Sequence, residues 1–165
     1  MPQQSAGEES AVARQARADQ RWLREAIELS RRCPPSETAF SVGAVLVSDA
    51  GDVIATGYSR ELDPKDHAEE VALAQAGDDP RLARATLYSS LEPCLSRASR
   101  PRSCAELIVG AGIGRVVIAW LEPPLFASGG GAGRLRSAGV TVAEIPWLAD
   151  LARSVNAHLL PGRSG

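Results

Sequence analysis

The residues able to do chemistry are His67-Ala68-Glu69, Glu92-Pro93-Cys94 and Cys104. One imidazole and two thiols are the donor set of a borderline-soft, four-coordinate ion, so His67, Cys94 and Cys104 are candidate zinc ligands. Three protein ligands leave a fourth position for water, which distinguishes a catalytic zinc from a structural one. Zinc lowers the pKa of bound water from about 15.7 to about 7, making hydroxide available near neutral pH. Glu69, two residues after His67, is the candidate proton shuttle. A closed structural site would need a fourth ligand, and only Cys33 and His158 remain. Cys33 reads as a thiol at a helix end and His158 as a surface residue.

These residues must be positioned by secondary structure. Residues 1–9 are small and polar and read as a disordered tail. Ala11 to Arg32 carries Trp22, Leu23, Ala26, Ile27 and Leu29 at helical spacing before Pro34 and Pro35. Val42 to Ser48 and Val53 to Tyr58 read as strands of a hairpin turning at Asp49-Ala50-Gly51-Asp52. His67 to Gly77 is predicted helical, Thr86 to Ser90 a strand, Cys104 to Ala111 a helix and Val116 to Trp120 a buried strand. Gly129 to Gly131 precede a helix to about Ala138, followed by a strand over Val140 to Ile145 and a helix from Leu148 to Leu159. The glycines lack the following Lys-Ser/Thr of a phosphate loop. If both ligand-bearing segments begin helices, their free N–H groups face the metal, and Pro93 suits the first turn of such a helix.

Alternating strands and helices predict a three-layer α/β/α domain around a mixed sheet, with residues 10–165 forming one domain. The chain has 165 residues and a formal charge of −2, which argues against a nucleic-acid polymer as partner. No apolar run is long enough for a membrane span and no signal layout precedes residue 9. With three cysteines, the chain reads as cytoplasmic.

His-x-Glu followed by Pro-Cys and a second cysteine is the pattern of zinc deaminases. The chain resembles the cytidine deaminase-like superfamily, and within it the deaminase domain of riboflavin biosynthesis. Carrying the resemblance are Val42-Gly43-Ala44-Val45-Leu46-Val47, His67-Ala68-Glu69, Ala85 through Cys94, Gly112-Ile113-Gly114-Arg115-Val116-Val117 and Leu135 through Val140. It implies the α/β/α fold, a Zn2+ cofactor, the proton-shuttling role of Glu69, and a homodimer or larger homo-oligomer. It also implies hydrolytic deamination of an aminopyrimidine nucleoside or nucleotide, foremost a phosphoribosylated riboflavin precursor. The alternatives are a cytidine or deoxycytidylate-type deaminase and a non-catalytic zinc-holding nucleotide-binding module.

Three segments depart from the riboflavin pattern. Nine residues, Leu95 to Ser103, separate the two cysteines, one more than in that branch and without its His-His-Gly-Arg-Thr character. Ala39-Phe40-Ser41 stands where that branch has Asn-Pro, and Glu122-Pro123-Pro124-Leu125 where it has Asp-Pro-Asn-Pro. The substrate-contact candidates are therefore Phe40, Ala68, Ser90, Arg97, Arg100, Arg102, Trp120 and Glu122. The arginines read either as guanidinium clamps for a phosphate or carboxylate or as a solvated basic loop. Phe40 and Trp120 read either as pocket walls or as core packing.

Overall fold

A computed structural model describes residues 9–123 and 130–161 of the chain. Five strands form one mixed sheet in the order β2-β1-β3-β4-β5. The strands are β1 (Gly43–Val47), β2 (Val53–Tyr58), β3 (Thr86–Ser89), β4 (Arg115–Ile118) and β5 (Thr141–Glu144). β1 runs antiparallel to both β2 and β3, while β3, β4 and β5 run parallel. The expected mixed α/β sheet is therefore present. The hairpin closes through Gly51, whose φ of 88° suits a residue without a Cβ.

The helices are α1 (Ala11–Ser30), α2 (Ala68–Ala76), α3 (Cys104–Gly110), α4 (Gly131–Ser137) and α5 (Ala149–Val155). Two close approaches fix which face each covers. A Cβ on Gly43 would lie 1.9 Å from the Ala26 carbonyl oxygen of α1, and one on Gly57 would lie 2.3 Å from the Ala68 carbonyl oxygen of α2. Gly57 pairs with Ala44, the neighbour of Gly43, so the two glycines face opposite ways. α1 and α2 thus cover opposite faces. α5 packs beside α1, and α3 connects α2 with α4. Leu23 and Ile27 on one side and Ile108 and Leu135 on the other join Leu46, Leu87 and Val116 in a fully buried core.

The structure differs from the sequence expectation at several element ends. Cys94 does not begin a helix: Pro93 and Cys94 lie in a loop, and the helix begins at Cys104. Ser103 and Glu106 form a reciprocal capping box there, supplying both an acceptor for Glu106 N–H and one for Ser103 N–H. The predicted last helix is divided into a 3₁₀ turn at Pro146–Leu148, α5 and another 3₁₀ turn at Ala157–Leu159. Asn156 interrupts it by turning its amide to Ser41, accepting from the backbone N–H at 2.6 Å and donating to the carbonyl at 3.0 Å. A 3₁₀ turn at Pro80–Arg84, capped by Asp79, had no place in the sequence expectation. The tail expected over 1–9 lies outside the described residues except Glu9, as do Pro124, Leu125 and Gly129. Among the described residues, no helix is long and apolar enough to cross a membrane.

Candidate metal centre and its cavity

His67 caps the N-terminus of α2, Cys104 is the first residue of α3, and Cys94 reaches the same point from the loop after β3. Their ligand atoms all lie within 4.8 Å of one another. His67 Nδ1 stands 3.6 Å from Cys94 Sγ and 3.3 Å from Cys104 Sγ. Tetrahedral zinc with ordinary Zn–S and Zn–N lengths places such donors about 3.6 Å apart, so the donor set and spacing fit zinc. Cys104 N–H points at Cys94 Sγ, 3.3 Å away, giving one helix-terminal donor a thiolate partner. The two thiols are set apart by their own contact: a hydrogen bond from the Cys104 side chain holds Cys94 down to about 4, while that side-chain bond and burial push Cys104 up.

Glu69 is buried beside the ligands. Ser89 Oγ donates to Glu69 Oε1 at 2.7 Å and also lies 2.8 Å from the Leu91 carbonyl. Strand parity puts Ser89 there: it pairs with Ala44, whose partner Gly57 faces α2. Burial raises the Glu69 carboxyl above its ordinary value, against the opposing effects of His67 and Ser89.

The centre opens into a cavity of about 290 Å³ whose walls include Phe40, Val42, Leu91, His67, Glu69 and Cys94. Glu122 also lines it. Its Oε2 is buried with no hydrogen-bond partner among the described residues, and burial followed by the negative charges of Cys94, Glu69 and Glu92 pushes its carboxyl up to about 8. Two residues that are neither expected ligands nor expected substrate contacts shape these walls. Glu92 accepts from Glu122 N–H at 3.0 Å and from Ala132 N–H at 2.9 Å, tying the Glu122 segment to the start of α4. Arg60, at φ 60°, donates to the Pro34 and Phe40 carbonyls and to Ser41 Oγ, holding the segment that carries Phe40. Ser89 is the third such residue. Its place in a short β-rich run two residues from Leu87 was the available signal; the partners of Glu92 and Arg60 are long-range.

The substrate-contact candidates divide. Phe40, Arg97 and Glu122 line the cavity, whereas Ala68, Ser90, Arg100, Arg102 and Trp120 are not among its walls. Ala68 is fully buried against Gly57, and Ser90 accepts from Gly43 N–H at 3.1 Å beyond the end of β3. Arg102 turns to the Glu106 carbonyl, and Arg100 pairs with Asp63, Asp66 and Glu70. Trp120 packs edge-on against Phe40 at 5.4 Å, with Arg153 over its ring. Phe40 thus has both a cavity wall and a packing partner. Cys33 hydrogen-bonds the Val42 carbonyl and His158 the Ser36 carbonyl, both apart from the metal centre.

Residues 16–120 match the family described as the cytidine and deoxycytidylate deaminase zinc-binding region. The chain belongs to this deaminase family. The zinc of the family's description has its candidate ligands here in His67, Cys94 and Cys104. Over 126 residues the chain is 38% identical to the diaminohydroxyphosphoribosylamino-pyrimidine deaminase of Schizosaccharomyces pombe, covering 74% of this chain and 31% of that protein. It is 37% identical over 142 residues to the riboflavin biosynthesis protein RibD of Aquifex aeolicus, covering 84% and 37% respectively. Among solved structures it resembles Acinetobacter baumannii RibD, with a TM-score of 0.71, 35% identity and coverage of 88% of this chain and 40% of that one. The chain spans about a third of the length of the curated relatives it matches.

Proposed function

We propose that residues 10–165 form one zinc-dependent deaminase domain that hydrolyses the amino group of a phosphoribosylated aminopyrimidine on the route to riboflavin. The observation carrying this reading is the meeting of His67, Cys94 and Cys104 around one point beside the buried Glu69. Zinc bound by these residues would supply activated water for attack on an electrophilic ring carbon. Glu69 takes a proton, passes it to a ring nitrogen and assists departure of ammonia, with Ser89 fixing its Oε1. Phe40 offers the ring an aromatic face. Glu122 Oε2, buried with no partner among the described residues, accepts an N–H of the diamino-substituted base. Lys65 adds a cation to the cavity wall for the phosphorylated tail.

The names of the relatives from S. pombe and A. aeolicus support the pyrimidine and the pathway. We include in the proposal a cytoplasmic setting, which keeps the three cysteines reduced, and a homo-oligomer that covers exposed Leu121 and Trp147. Sedimentation checks the second. The function is tested by ammonia release from diaminohydroxyphosphoribosylaminopyrimidine beside cytidine and deoxycytidylate. Release from the first supports the proposal. Release solely from the cytidine compounds overturns the riboflavin assignment, and zinc-loaded protein inert toward all three indicates the non-catalytic module.

A further inference from the structure

Only 3% of the Arg97 side chain is exposed, so its charge must be answered within the protein. Nη2 donates to the Lys65 carbonyl at 2.6 Å, and Nε donates to Ser99 Oγ at 3.3 Å. Nη1 lies 3.5 Å from Glu70 Oε1 and 3.9 Å from Cys104 Sγ. Every nitrogen of the fork is therefore committed to the protein. A phosphate clamp would have to give up the Lys65 contact and leave the sulfur.

These partners converge on two ligands. Lys65 lies two residues before His67, and Glu70 accepts the His67 backbone N–H at 3.4 Å. Cys104 is the ligand that Arg97 meets directly. Glu70 cannot serve Arg97 alone, because its Oε2 stands 3.4 Å from Arg100 Nε. Two thiolates and a neutral imidazole around a dication sum to zero charge, and ionised Glu69 beside them leaves an excess negative charge in a buried place. Among the described residues, Arg97 is the cationic side chain that reaches a ligand sulfur.

We propose that Arg97 is a positioning residue of the metal centre, its guanidinium offsetting the charge of the Cys104 thiolate while bracing the segment that carries His67. It does so from inside the nine-residue insert between the cysteines, giving that insert a role at the metal. Outer partners of this kind fix ligand orientation and tune donor strength. The inference rests on the metal-site part of the proposed function and not on its substrate.

The test uses Zn2+ competition against a chelator and the thiolate-to-cobalt charge-transfer band of Co2+-loaded protein. Arg97→Gln should weaken zinc binding by roughly 10- to 100-fold and move the band to lower energy, because an unscreened thiolate donates more strongly. Arg97→Lys, restoring the charge without the fork, should recover part of both. Arg97→Met fills the buried site without charge and takes the place of Arg97→Gln should that variant not fold. Zinc affinity within twofold of the parent together with an unmoved band overturns the inference. So does retained metal affinity with weakened binding of inorganic phosphate, which would return Arg97 to a clamp. The parent must bind one zinc, lost on Cys104→Ala; its failure to do so overturns the metal site itself and this inference with it.

Discussion

Tyr88 and Ser89 are neighbours on β3, and each ends on a carboxylate of a different helix layer. Tyr88 points to α1, where its hydroxyl donates to Asp19 at 2.7 Å. Ser89 points to α2 and donates to Glu69 at 2.7 Å. Both carboxylates are buried, yet the protein treats them oppositely. Asp19 also receives the two ends of the Arg115 fork, at 2.8 and 2.6 Å, and an amide N–H from Gln15 at 2.9 Å. Burial raises its carboxyl, but the hydrogen bonds from Arg115, Tyr88 and Gln15 together outweigh that and hold it below its ordinary value. Among the described residues Glu69 is opposed by the His67 charge and the Ser89 hydroxyl and by no guanidinium, so burial prevails and its carboxyl goes up. A carboxylate surrounded by fixed donors is a structural ion that keeps its charge. One left nearly alone in a dry place exchanges its proton readily, as a shuttle must.

The largest separation of the two sites comes from removing each acid. Glu69→Gln should lower turnover by roughly 10²- to 10⁴-fold while zinc content stays at the parental value. Ammonia release and metal analysis measure the two. Normal turnover in that variant would place the shuttle elsewhere. Asp19→Ala should leave turnover per folded molecule alone but cost about 3 kcal/mol, since it strands the Arg115 charge in a largely buried place. Thermal melting should then fall by about 6 to 12 °C for a chain of this size. The acid limb carries the sign. Because the folded carboxyl of Asp19 lies below its ordinary value of 3.8, its stabilisation is complete above that pH. It is lost as pH falls through the folded value, so the melting gap between parent and Asp19→Ala should narrow below about pH 4. A gap that stays constant down to pH 2 would remove the ion pair from the account of Asp19.

These two sites were not equally legible in the sequence. His67, Glu69, Cys94 and Cys104 stood out because their residue types carry metal and proton chemistry whatever the fold, and the structure brings all four to one place. The order of strands and helices was readable from the helical period of α1 and from the continuous apolar runs of the buried strands β1 and β4. The start of α3 at Cys104 was legible; the expectation that failed is a helix start at Pro93-Cys94, because the Ser103-x-x-Glu106 capping box satisfies the helix donors reciprocally ten residues later. Asn156 breaking the last helix, Arg60 bracing Phe40 and Glu92 bracing Glu122 depend on partners distant in sequence. Asp19 was hidden for the same reason, since an acid among the arginines of an amphipathic helix looks solvated until β3 and β4 arrive beside it.

Smaller changes on β3 sharpen the contrast, because the two hydroxyls differ in what their carboxylates keep when they go. Ser89→Ala removes the hydroxyl that donates to Glu69 Oε1. Turnover should fall by roughly tenfold, the effect of about 1.4 kcal/mol within the range for an unsatisfied buried acceptor. Zinc affinity should not change, as the Ser89 hydroxyl is directed to Glu69 and the Leu91 carbonyl and not to a ligand. Tyr88→Phe leaves Asp19 with Arg115 and Gln15, so its carboxylate remains charged and held. The expected loss is about 1 kcal/mol, or about 2 to 4 °C in melting, with turnover unchanged. If Tyr88→Phe instead lowered turnover as far as Ser89→Ala does, the two faces of β3 would be coupled, and the division between a structural and a working carboxylate would fail.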